Sequence, residues 1–169
     1  MTARLALTSQ PQNAQRKSSE EESAQEIYWK ALKLLQDPIL PVRAHGLLLL
    51  RQLVTPSKTG GTGQGIRGLD PALVPAVLSI FLQSVQDEDS YIFLNSVQGL
   101  AAMVDGLGRE VLKGLVDEYV GKLEGLGTGL LSQQDVDIKT RVGEALGIVI
   151  KRCGDSLGIY SRPTISFFY

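Results

Sequence analysis

Apolar residues recur at helical intervals along most of the chain, and short polar or proline-containing breaks divide them into pairs of segments. In SAQEIYWKALKLL, Ile27, Ala31, Leu34 and Leu35 share one helical face, while Ser23 and Glu26 have the spacing of a capping box. Asp37–Pro38 predicts the end of this helix, because the residue before a proline is pushed out of helical geometry. Pro41 predicts a restart: its fixed φ and missing N–H are harmless in a first turn. A second helix, about Pro41 to Val54, then aligns Val42, Gly46, Leu49, Leu50 and Leu53. The same layout returns from Asp70, a capping residue followed by Pro71, with one helix to about Gln86, a turn at DEDS, and another helix from about Tyr91 to Val104. A third pair is predicted at about 109–126 and 138–152, joined by the polar GTGLLSQQDVD. No stretch alternates with the period of a half-buried strand.

The pairs repeat. Asp37, Asp87 and Asp137 stand at equal intervals, each expected just before a second helix. The same interval aligns Val42, Ile92 and Val142; Leu50, Leu100 and Ile150; and Leu53, Met103 and Cys153. Two helices per unit at a period in this range predict an all-α fold, a short α-solenoid of about three helical hairpins. The solenoid domain is expected over 23–155, with repeats at about 23–54, 70–104 and 109–153. Leu50, Leu100 and Ile150 should be buried at equivalent positions. Residues 1–22 read as a disordered lead, the glycine-rich 55–69 as a flexible loop, and 156–169 as a tail.

Composition narrows the function. The chain has 169 residues, enough for a real core, and a net charge of −1, which removes the positive field that a nucleic-acid partner would need. The longest purely apolar run, Leu47–Leu50, is far too short for a membrane span. The N-terminus lacks the apolar region of a secretory signal. Arg4, Arg16 and Lys17, with no acid before Glu20, are basic like a mitochondrial presequence but form no clear amphipathic face. Cys153 is the sole cysteine, so the chain holds no internal disulfide and no cysteine cluster for zinc.

Candidate chemistry is thin. GQGIRG, Gly63 to Gly68, matches the spacing of a dinucleotide fingerprint, but no strand precedes it and the helix after it has a different start. A nucleotide-using enzyme built on this loop is a remote alternative. His45 is the only histidine and has no second histidine or cysteine with which to share a metal. Cys153 falls in the apolar column with Leu53 and Met103, which suits a buried structural thiol. The DEDS acids and the pair Asp135 and Asp137 lack the glutamate spacing of a calcium loop. No catalytic, cofactor or metal residue is therefore assigned. Arg51, Lys151 and Arg152 close second helices, where cations complement the helix dipole; they are also candidate partner-binding residues on the surface of the array.

LLQDPILPVRAHGLLLLRQL resembles a HEAT repeat, and DEDSYIFLNSVQGLAAMVD and DIKTRVGEALGIVIKR are similar to its continuation. From about Ile27 to Asp155 the chain resembles the C-terminal domain of the RNA polymerase II assembly and nuclear-import factor family. Animal relatives of that family are called transport and Golgi organisation proteins. The resemblance implies a structural turn ladder in which Arg43 bridges to a neighbouring turn aspartate among Asp37, Asp87 and Asp137. It also implies a non-enzymatic scaffold or adaptor in assembly and nuclear import of RNA polymerase II. The implied partners are polymerase subunits, assembly chaperones or nuclear-pore components, and the implied location is the cytoplasm with shuttling to the nucleus. A scaffold in Golgi organisation and secretory transport is the alternative.

Overall fold

The computed structural model describes residues 23–55, 69–124 and 132–154. These hold five α-helices and no strand: α1 (Ala24–Leu35), α2 (Leu40–Val54), α3 (Val74–Ser84), α4 (Ser90–Glu124) and α5 (Gln133–Cys153). The expected lead at 1–22, most of the loop at 55–69, part of the polar joint before α5 and the tail at 156–169 lie outside the described residues.

Local chemistry accounts for each helix boundary. The capping box opens α1: Ser23 Oγ accepts from the Glu26 N–H at 3.2 Å, and Glu26 Oε2 accepts from the Ser23 N–H at 2.8 Å. Asp37 Oδ1 accepts from the Ile39 N–H at 2.8 Å and folds the chain back into α2. The second hairpin departs from expectation at its start. Asp70 caps as predicted, but Pro71–Leu73 forms a short 3-10 turn and the α-helix begins only at Val74. Pro75 is the cause. It has no N–H to donate to the Pro71 carbonyl, so the Val74 N–H bonds that carbonyl in the tighter pattern.

Beyond α3, Asp87 Oδ1 accepts from the Asp89 N–H at 2.9 Å, and Asp89 Oδ1 accepts from the Tyr91 N–H at 2.8 Å to cap α4. Two separate helices were expected at 91–104 and 109–126. The structure has both as the two arms of α4, joined directly at a kink at Leu107 (φ −134°, ψ 33°), between Gly106 and Gly108. A single non-helical residue redirects the chain where a loop was expected. The last helix starts earlier than its expected 138, at Gln133, because Ser132 and Asp135 form a second capping box. Asp137 is consequently inside α5, where it accepts from Gln133 Nε2 at 2.8 Å, and is not a turn residue.

The helices pack as three neighbouring pairs: α1 on α2, α3 on α4, and α4 on α5, with α2 also lying against α4. Leu50, Leu53, Leu100 and Met103 are buried in one continuous core with Val142, Val149 and Cys153. Two expectations need correction. Leu69, placed in the flexible loop, is a core residue at 4% exposure. Ile150, expected to match Leu50 and Leu100, is 37% exposed whereas they are fully buried. Leu50 and Leu100 lie on helices flanked by neighbours on both sides, whereas α5 packs chiefly on α4.

Close approach between paired helices depends on Gly99. A Cβ added there would stand 2.4 Å from the buried Phe81 ring. Gly99→Ala should therefore destabilise the protein by about 1–3 kcal/mol through overpacking, despite alanine's better helix propensity. Denaturant titration of the two proteins measures the difference.

Candidate functional site

The residues singled out from the sequence fall into two groups. Arg43, near the start of α2, places Nη1 3.7 Å from Asp87 Oδ2, in the turn between α3 and α4. Asp37, Asp70 and Asp87 each fold their own turn, accepting from the N–H two residues on. Asp37 and Asp87 are thus geometrically alike, whereas Asp137 is brought to neither turn. The turn after α3 is also gripped from the other side: Arg141 Nη1, on α5, donates to the Gln86 carbonyl at 3.3 Å. Residues from the first and third pairs therefore converge on one turn of the second.

Candidate partner residues are less free than their sequence positions suggest. Arg51 donates through Nη1 to Gln98 Oε1, joining α2 to α4. Arg152 Nη2 stands 3.6 Å from Asp105 Oδ2, joining α5 to the first arm of α4. Both pairs are open to solvent, and there the Arg152–Asp105 ion pair contributes only about 0–1 kcal/mol. Lys151 is exposed on α5. Sequence reasoning missed Gln98, Asp105 and the Arg141 contact, since their partners lie on other helices. Arg141 lies in DIKTRVGEALGIVIKR, but nothing local in that stretch points to the Gln86 carbonyl.

Two further contacts tie α4 to its neighbours. Gln86 Nε2 donates to Glu118 Oε2 at 2.9 Å, and Lys139 Nζ sits 5.2 Å from the centre of the Tyr119 ring. A solvent-open cleft of about 350 Å³ runs along Pro75, Leu78, Leu82 and Gln86 of the second pair to Glu118. Ser79 and Gln83 also line it. His45 is exposed on α2, and among the described residues no group of three His, Cys, Asp or Glu could hold a metal ion. Gly63 to Gly68 lie outside the described residues. No described helix is long and apolar enough to cross a membrane.

The described helices are tied to one another by these side-chain contacts and present their outer surfaces to solvent. A protein-family model described as "Required for nuclear transport of RNA pol II C-terminus 1" matches residues 28–156. The chain belongs to this family. The match runs from within α1 to just beyond α5, so the family's domain covers nearly all of the packed unit. No solved structure matches the chain. The family is described by a transport role, not by a reaction.

Within this family domain, Cys153 is packed at 6% exposure. Burial pushes its thiol pKa up; a backbone hydrogen bond at Cys153 opposes this, and the Asp105 carboxylate adds to it. Because the thiolate is the nucleophile, Cys153 should alkylate much more slowly than a free cysteine at neutral pH, and fully once denaturant is added. Timed iodoacetamide labelling followed by mass spectrometry measures both rates.

Proposed function

We propose that the chain is a non-enzymatic protein-binding adaptor in the nuclear import of RNA polymerase II, acting also in its assembly. Membership of the family, over nearly the whole packed unit, is the observation that carries this reading. The architecture supports it. Three helix pairs held to one another by Arg43, Arg51, Arg141 and Arg152 make a short α-solenoid of HEAT-like character, and such arrays bind partners along the surfaces of their repeated helices. The chain's near-neutral charge suits protein partners better than nucleic acid.

On this reading the partners are polymerase subunits, assembly chaperones or nuclear-pore components, met in the cytoplasm and during passage to the nucleus. Exposed apolar side chains on several helices, among them Trp29, Tyr91 and Leu94, are available for such contacts. The test is affinity purification of the full chain from cells, followed by identification of what co-purifies. RNA polymerase II subunits or their assembly chaperones should be enriched over a control purification. Enrichment of Golgi-transport proteins without them would overturn the reading.

A further inference from the structure

The three second helices present one face to whatever follows them, and two copies of that face are covered. On α2 the face is Leu47, Leu50 and Val54, at 0%, 0% and 1% exposure; on α4 it is Val97, Leu100 and Val104, at 1%, 0% and 2%. That these sides look toward the next pair follows from cross-helix contacts. Arg51, on the same side of α2, meets Gln98 of α4, and Asp105, beside Val104, meets Arg152 of α5. The same positions in the third pair are Gly147 and Ile150 on α5 and Gly154 just past its end, and all three are exposed. Another side, Val142, Ala145, Val149 and Cys153, is buried, so the helix is docked and this face is left open.

Two details give the face a shape and a charge. A Cβ added at Gly147 would have nothing within 4 Å, so a glycine that weakens the helix gains no close contact in return. It leaves a notch where α2 and α4 carry Leu47 and Val97. Beside it, Lys151 takes the place of Arg51, whose guanidinium is met by a side-chain oxygen from the adjoining helix. Resting on the reading of the chain as a protein-binding scaffold, we infer that Gly147, Ile150 and Lys151 form a docking face for an amphipathic helix of another protein. That helix carries a bulky apolar side chain for the notch and a carboxylate or amide oxygen for Lys151. A second copy of this chain is a poorer match. Stacked in the same manner, it would present Leu48 where α4 presents Gln98, and so no oxygen for the lysine.

The test places the photo-crosslinking residue p-benzoylphenylalanine at Ile150 in the full chain in cells and, in a parallel protein, at the half-exposed Leu94. Crosslinked peptides are then sequenced. The Ile150 probe should join a segment of another protein that has apolar residues at helical spacing and an Asp, Glu, Asn or Gln among them. Gly147→Leu and Lys151→Glu should each cause loss of that crosslink without lowering the melting temperature, because both sites are open in the chain alone. An Ile150 probe that joins only this chain, only a second copy, or nothing overturns the docking face. If the Leu94 probe still reaches another protein, the scaffold reading survives that failure; if neither probe does, both fall.

Discussion

Leu100→Ala should lower the stability of the protein by about 2–5 kcal/mol, the range for removing a large aliphatic side chain from a packed core. Leu100 is fully buried on the side of α4 that looks toward the third pair, so the lost methyl groups would leave a cavity bounded by more than one helix. The neighbours are held by their own backbones and can close in only partly. The matched substitution Ile150→Ala should cost far less, since that side chain is already 37% exposed. Chemical denaturation of the two variants beside the parent protein measures both, and the difference between them is the informative quantity. Equal losses would mean that α5 is covered on the side that is open here.

Phe81→Ala should be at least as damaging, at about 3–5 kcal/mol. The ring is fully buried on α3 and fills the space that Gly99 leaves on α4. Removing it empties the closest contact of the second pair, and the glycine opposite has no side chain with which to fill the gap. The double variant Phe81→Leu with Gly99→Ala should recover part of the loss, because it moves volume from one helix to the other. Thermal unfolding of the single and double variants tests the coupling. Strictly additive losses would contradict a direct packing partnership between these two positions.

Much of the fold was legible because the helix starts and stops carry strong local chemistry. Ser23 with Glu26, Asp37–Pro38 and Asp70–Pro71 each dictate backbone hydrogen bonding within a few residues, and the structure places boundaries at or near them. The errors have local causes too. Ser132 and Asp135 carry the same kind of capping signal as Ser23 and Glu26, and this local chemistry overrides the repeat interval that places Asp137 in a turn. The effect of Pro75 on the Pro71 carbonyl, four residues back, was likewise written in the sequence. By contrast, the glycines around Leu107 signal a break without fixing its size: one bent residue and a full turn read alike.

The surface was less legible than the core. Periodicity identifies which side of a helix is apolar, so Leu50, Leu100 and Cys153 were found. It does not say whether a neighbour covers that side, and Ile150 was therefore misplaced. Arg51 and Arg152 were correctly seen as cations at helix ends, but whether they face solvent or Gln98 and Asp105 depends on the angle between helices. Lys151 and Arg152 are both exposed but Arg152 faces Asp105, so reversing the charge of Lys151 alone is a cleaner probe than reversing Arg51 with it. On an electrostatically steered interface, Lys151→Glu should act chiefly on the association rate and its salt dependence.

Nuclear import of the polymerase is the claim on which the functional account stands, and microscopy of depleted cells tests it most directly. The largest RNA polymerase II subunit should accumulate in the cytoplasm when this protein is removed, and return to the nucleus when the full chain is restored. A polymerase that stays nuclear throughout depletion, whether or not Golgi traffic is disturbed, would contradict the account.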